Sequence, residues 1–137
     1  YDTYRPILLK VSPDLSSEQL DDIIDYCLRS GIDGIVAGNT TRSRDGLTID
    51  PKKIAEIGNG GMSGAPVHKK NLELVRYIHT KSEGRLPIIG VGGIMSGEEA
   101  KAMMDAGASL VEIYSGFIYE GPGLVKKILT HLENCNK

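Results

Sequence analysis

No apolar stretch in this chain approaches the roughly 20 residues that a membrane-spanning helix needs, and no secretory signal opens it. Charge of one sign is not in excess either. Lys and Arg number 16 against 18 Asp and Glu, a formal charge of -2, and the basic residues are spread along the chain. Neither nucleic acid nor an anionic lipid surface therefore has a stripe to dock on. Cysteine is scarce. Cys27 and Cys135 lie far apart and match no metal-ligand spacing, so no metal site is expected, and Cys27 falls on an apolar helix face. Reduced, intracellular thiols are the expectation, with Cys27 packed in the core. Low-complexity sequence is also missing, and 40% hydrophobic content over 137 residues suffices for one globular domain with a real core, soluble as it stands. An initiator Met is lacking, and "YDTYRPILLK" reaches a strand-like segment within five residues, as if cut from something longer.

What is present alternates between strands and helices. "PILLKV" (6–11) reads as a strand, and "SPDLSSEQ" supplies a turn and a capping box in which Ser16 and Gln19 satisfy each other's backbone donors. Leu20, Ile23, Ile24, Cys27 and Leu28 then form one apolar stripe, closed by Gly31 as a left-handed cap. "GIDGIVAG" (31–38) is a second strand. A long excursion over 39–67 carries "GNGGMSGAP" and a short helix near 51–57, followed by a helix over 68–82 with Leu72, Val75 and Ile78 inward. "LPIIGVG" (86–92) is the third strand, Ser96 with Glu99 forms a second capping box, and "ASLVEIY" (108–114) is the fourth strand. Pro122 opens the last helix, whose stripe is Leu124, Val125, Ile128, Leu129 and Leu132. Four apolar strands alternating with helices make this an α/β protein with a parallel sheet. An open doubly wound sheet and half of a (β/α)8 barrel compete, four units being too few to close a barrel.

In both architectures the site lies at the carboxyl ends of the strands, and each end here is chemically unusual. Lys10 finishes the first, where burial on both sheet faces would demand an anion or acceptor. A lysine at a frayed strand end reaching water is the plain alternative. "GNTT" follows the second strand with an amide and two hydroxyls, able to read a polar ring edge or carboxylate, or simply to turn and cap. After the third, "GVGG" lets backbone N–H groups approach a phosphate, and the following helix start adds its positive end. Gly90, Gly92 and Gly93 do not complete the dinucleotide fingerprint, whose third glycine position holds Met95, and no Gly-Lys-Ser/Thr follows. Together with "YSG" after the fourth strand they suggest a phosphorylated cofactor, against the alternative of tight turns with nothing bound. His68 and His131 read as helix-surface residues and His79 as a packing residue.

"KVSPDLS", "GIDGIVAGNTTRSR", "GGMSGAPV", "PIIGVGGI" and "GASLVEIYSGFIYEGPGLVKKI" resemble, in order and spacing, the C-terminal half of the class 2 (quinone-dependent) dihydroorotate dehydrogenases. The resemblance covers nearly the whole of 1–137. It implies half of a (β/α)8 barrel carrying FMN, from an enzyme that oxidises dihydroorotate to orotate in pyrimidine synthesis. Electrons would pass to a quinone at the cytoplasmic face of the bacterial inner membrane, or at the mitochondrial inner membrane in a eukaryote.

Residue by residue, the resemblance implies that Lys10 sits by the flavin pyrimidine edge, where its charge stabilises the reduced flavin. Gly38 would touch FMN through its backbone, and Asn39 and Thr40 would hydrogen-bond the orotate ring and carboxylate. Gly64, Gly92 and Gly93 would be glycines contacting FMN, and Tyr114 and Ser115 would present backbone amides to its phosphate. On this reading the glycines make room for the phosphate tail. The proton-abstracting serine and the membrane-resting N-terminal helices match nothing here, so no catalytic base is expected in this chain, which alone should be inactive. Ser12, Ser16 and Ser17 match a loop and a helix cap instead. Met62 stands where the family commonly has Leu, a conservative swap. Exposed edges on the outer strands imply self-association. A class 1 or related FMN barrel dehydrogenase, and a non-catalytic flavin- or phosphate-binding half-barrel, are the alternatives. "RSRDG" (42–46) reads equally as a mobile active-site loop and as a solvated one.

Overall fold

The computed structural model describes residues 3–135; Tyr1, where the abrupt start was noted, lies outside them. Four short strands, β1 (Leu8–Val11), β2 (Gly34–Ala37), β3 (Ile88–Val91) and β4 (Leu110–Glu112), pair in parallel in the order β1-β2-β3-β4. Six helices accompany them: α1 (Ser17–Ser30), α2 (Pro51–Ile57), α3 (His68–Lys81), α4 (Gly97–Asp105), α5 (Ser115–Glu120) and α6 (Gly123–Cys135). One turn of 3-10 helix, Ala65–Val67, leads into α3. Among the described residues no helix is long and apolar enough to cross a membrane.

Register decides between the two architectures. Strands paired in sequential order through right-handed crossovers carry all their connecting helices on one face. Side chains alternate across a strand, so pairing sorts them into rows. Leu9, Ile35 and Ile88 form one row and Val11, Ala37, Gly90 and Val111 the next, and Ile35, Ala37 and Ile88 are fully buried under the helices. The alternate row, Lys10, Val36, Ile89 and Leu110, faces away from them: Val36 and Ile89 are half-buried, Lys10 is exposed and Leu110 is 62% exposed. A sheet sealed on one face and bare on the other is a length of barrel wall, whereas a doubly wound sheet is covered on both. The expectation that Lys10 loses its hydration between two covered faces fails for the same reason.

The helices pack side by side, α1 on α3, α3 on α4 and α4 on α6. In α1 the capping box forms as expected, Gln19 N–H donating to Ser16 Oγ at 3.3 Å and Ser16 N–H to Gln19 Oε1 at 3.0 Å, and Gly31 closes the helix at φ 77°. Leu20, Ile24 and Cys27 are buried beneath it. Tyr77 and Lys81 of α3 both donate to Asp21, at 2.6 and 2.7 Å, which holds the Asp21 carboxyl below its usual range, Lys81 having the larger effect.

Several expectations need correction. The strands are shorter than the apolar runs, because pairing ends where the neighbouring strand turns away. The second capping box is displaced: Glu99 N–H donates to Ser96 Oγ at 3.2 Å, but the Glu99 carboxylate accepts from Met95 N–H at 2.6 Å, one residue before the cap. Helix α5 is an element the periodicity did not anticipate, and Pro122 stands just outside α6 rather than in its first turn. Leu124 and Ile128 face the core, but Val125 and Leu129, placed in the same stripe, are 44% and 55% exposed.

One polar knot ties the loops after β1 and β2 to α3. The Asp14 carboxylate accepts from the Thr41 hydroxyl at 2.5 Å, from Lys70 Nζ at 2.6 Å and from Arg42 N–H at 2.8 Å. Thr41, only 2% exposed, also exchanges two backbone hydrogen bonds with Met62, at 3.1 and 2.8 Å, closing the long excursion at its base. Arg44 braces its interior by donating to the carbonyls of Gly58 and Gly60. Lys70 first, then Thr41, hold the Asp14 pKa down from 3.8 to about 2. A depressed carboxylate stabilises the fold fully above its unfolded value and loses that contribution as pH falls through the folded one. Asp14→Asn is thus expected to cost about 1 kcal/mol at neutral pH, its partners being partly solvated. It should also flatten the fall in stability between about pH 4 and pH 2. Urea unfolding followed by circular dichroism checks both, and an unchanged acid limb would remove Asp14 from the account.

Candidate functional site

The carboxyl ends of all four strands open into one cleft of about 420 Å³. Nine of the candidate contact residues border it: Lys10 from β1, Gly38, Asn39 and Thr40 after β2, Gly64 before the 3-10 turn, Gly92 and Gly93 after β3, and Tyr114 and Ser115 after β4. Gly90, grouped with Gly92 and Gly93 in the sequence, does not border it: it is buried on the opposite side of the sheet, against Ala108 and Met103. Convergence follows from the parallel register, which brings four strand ends that lie far apart in sequence to the same edge of the sheet.

Lys10 stands on the bare face of the sheet and donates from Nζ to the Gly38 carbonyl at 2.7 Å. One acceptor leaves two of its ammonium donors available to the cleft. The Asn39 side chain accepts from Thr40 N–H at 2.9 Å through Oδ1, which leaves its amide hydrogens as donors. Thr40 stays in place because Gly61 has no side chain; a Cβ there would stand 2.1 Å from Thr40 Oγ1.

The glycines have a different primary cause from the one expected. A Cβ on Gly38 would lie 1.8 Å from Asn71 Oδ1, one on Gly92 would lie 2.2 Å from Asn71 Nδ2, and one on Gly93 would lie 2.6 Å from the His68 backbone nitrogen. These positions make room for the protein itself, for the first turn of α3 driven against two loops. Gly92 and Gly93 also have φ of 114° and 73°, which side chains resist. Gly64 differs: at φ 80° its nearest foreign atom is Ser115 Cβ at 3.8 Å, so its approach to the cleft stays open.

Two sets of backbone donors face this space. Among the described residues neither Gly93 nor Ile94 has a protein acceptor for its N–H, and both residues are buried at the cleft wall. The first-turn N–H groups of α5, beginning at Ser115, have no acceptor within their own helix. Backbone donors without a protein acceptor, those of buried Gly93 and Ile94 and those of the more exposed start of α5, gathered around a concave opening suit a phosphate or another oxyanion. The lining chemistry fits a flavin mononucleotide, combining backbone amides for an anion, a lysine, and apolar Val67, Val91 and Ile94.

Some features of the cleft were missed. Glu112 borders it, on the same sheet face as Lys10, and the alternation rule that pointed to Lys10 also reaches it. Asn71 was missed although it interrupts the apolar stripe of α3 with Leu74, Val75 and Ile78 at helical spacing, and it is fully buried. His68, read as a surface residue, is half-buried with Nδ1 out of solvent and without a partner. His79 packs its ring against Gly84 and Gly107, a packing role as expected.

The family model described as dihydroorotate dehydrogenase matches residues 2–135. A dihydroorotate dehydrogenase (quinone) of Christiangramia forsetii is 50% identical over 124 residues, covering 90% of this chain and 35% of that protein. The enzyme of the same name from Edwardsiella ictaluri is 50% identical over 129 residues, covering 94% of this chain and 38% of that protein. The crystal structure of ligand-free DHODH from Eimeria tenella superposes with a TM-score of 0.86 at 35% identity, over 95% of this chain and 36% of that one. The chain thus spans little more than a third of the length of these relatives. With the barrel-wall topology and the strand-end cleft, these matches show that the chain belongs to the dihydroorotate dehydrogenase family.

Proposed function

We propose that this chain is the C-terminal half-barrel of a quinone-dependent dihydroorotate dehydrogenase and builds the FMN phosphate seat and one side of the substrate site. The observation that carries this reading is the meeting of Lys10, Asn39 and Thr40 with the free amides of Gly93, Ile94 and α5 in one cleft.

When bound, FMN supplies two-electron acceptor chemistry that no side chain here can provide. The amides of Tyr114 and Ser115, with those of Gly93 and Ile94 beside them, would hold its phosphate, and Gly38, Gly64 and Gly92 would contact it. Lys10, anchored on the Gly38 carbonyl, would place its ammonium group at the cleft, where it stabilises the negative charge that develops on the reduced flavin. Asn39 and Thr40 orient dihydroorotate by its ring amides and carboxylate, which holds the reacting carbon in place. The base that takes the substrate proton lies in the part of the parent enzyme outside this chain. Quinone access and contact with the membrane also belong to that part.

Anaerobic mixing of dihydroorotate with the FMN-loaded parent enzyme is expected to bleach the flavin's visible absorption. Lys10→Ala should slow that bleaching by about 100-fold, as loss of a preorganised charge-stabilising group does. Firmly bound flavin that dihydroorotate fails to bleach would refute the substrate assignment.

The outer strands bear on the chain in isolation. β1 and β4 each have one unpaired edge, and Ile7 and Leu110 beside them are 64% and 62% exposed. Such edges pair readily with other strands. Sedimentation of this chain alone should show association that grows with concentration, and a monodisperse monomer throughout would count against it.

A further inference from the structure

We propose that Asn71 is a positioning residue that couples the loop after β2 to the loop after β3, so that the phosphate seat and the substrate amide move as one unit. The proposal rests on the functional reading above for the identity of the two subsites, and on geometry alone for the coupling.

Asn71 is 0% exposed, one turn into α3. Its planar amide is wedged between two backbones: Oδ1 occupies the place of a Gly38 side chain and Nδ2 that of a Gly92 side chain. Nδ2 also donates to the Asn39 carbonyl at 3.2 Å. Oδ1 is buried without a partner, a cost that an apolar residue would avoid. That residue would, however, leave the buried-side carbonyl of Asn39 without its donor. The wedge is reinforced by its neighbours on the same turn, since the His68 backbone lies under Gly93 and Lys70 donates to Thr41 Oγ1 at 3.1 Å. Close-packed contacts of this kind transmit displacement rather than absorb it. Movement of Gly92 and Gly93 on taking up a phosphate must therefore displace the Asn71 amide, and with it the backbone that carries Asn39 and Thr40.

Hydrogen exchange by mass spectrometry on this chain without ligand tests the coupling. Asn71→Ala should speed exchange about tenfold in both Gly38–Thr41 and Gly92–Ile94 while leaving α1 and α6 unchanged. Loosening of one loop only, or of neither, would overturn the proposal. A steric arm keeps it decidable if the alanine chain unfolds. Gly38→Ala should lower Tm through its clash with the Asn71 amide, and combining it with Asn71→Ala, which removes every atom within 3 Å of the new Cβ, should recover part of that loss; a tolerated Gly38→Ala, or one that Asn71→Ala fails to rescue at all, would contradict the wedge.

Inorganic phosphate then probes transmission, which packing alone would not alter. In the wild type, amide resonances of Gly93 and Ile94 should shift together with those of Asn39 and Thr40. In Asn71→Ser the first pair should still shift and the second should not. Equal spread in both chains would refute coupling through Asn71. No shift at Gly93 or Ile94 in the wild type would count against the phosphate seat, and the ligand-free exchange would still decide the wedge.

Discussion

The lateral pairing of Lys10 with Val36, Val36 with Ile89 and Ile89 with Leu110 governs the rest of the structure, because it assigns every strand residue to one of two unlike faces. Ile35, Ala37 and Ile88 are buried beneath four helices by that assignment, and Lys10 is left on the opposite face at the rim of the cleft. Slipping β1 by one residue would turn Lys10 to the helix side, and slipping β2 or β3 would turn Ile35 or Ile88 to the bare one. Core and site are therefore specified by a single register.

The site depends equally on the first turn of α3. His68, Lys70 and Asn71 press against the loops after β1, β2 and β3, and the glycines at 38, 92 and 93 exist first to admit that turn. A compact backbone then leaves its N–H groups facing the cleft, because no protein acceptor can reach them there. Scaffold packing and ligand chemistry thus ask for glycine at the same positions, and a glycine cluster in sequence does not say which demand came first. The two causes separate only at Gly64, whose surroundings are open.

Much of the fold was legible because local chemistry dictates it. The Ser16 and Gln19 capping box, the Gly31 cap and the stripe of Leu20, Ile24 and Cys27 need only neighbours within one helix. The cleft residues were legible as well, since parallel α/β sheets gather their functional groups at strand ends. Asn71 escaped because its significance lies in partners distant along the chain, Gly38 and Gly92, whereas strand alternation alone would have found Glu112. Val125 and Leu129 misled for the converse reason: they widen a correct helix stripe, but only its Leu124 and Ile128 side meets the core.

The sequence by itself determined the order of elements, their caps, the parallel α/β class and the four strand ends at which chemistry gathers. All of these follow from contacts within a few residues or from periodicity. Tertiary structure alone decided that the sheet is bare on one face, that Lys10 is anchored on Gly38 rather than desolvated, and that Asn71 fills the space of two glycines. Those outcomes depend on which groups approach one another from far apart along the chain, as Lys10 and Gly38 do across 28 residues, and the identities of neighbouring residues carry no record of that approach.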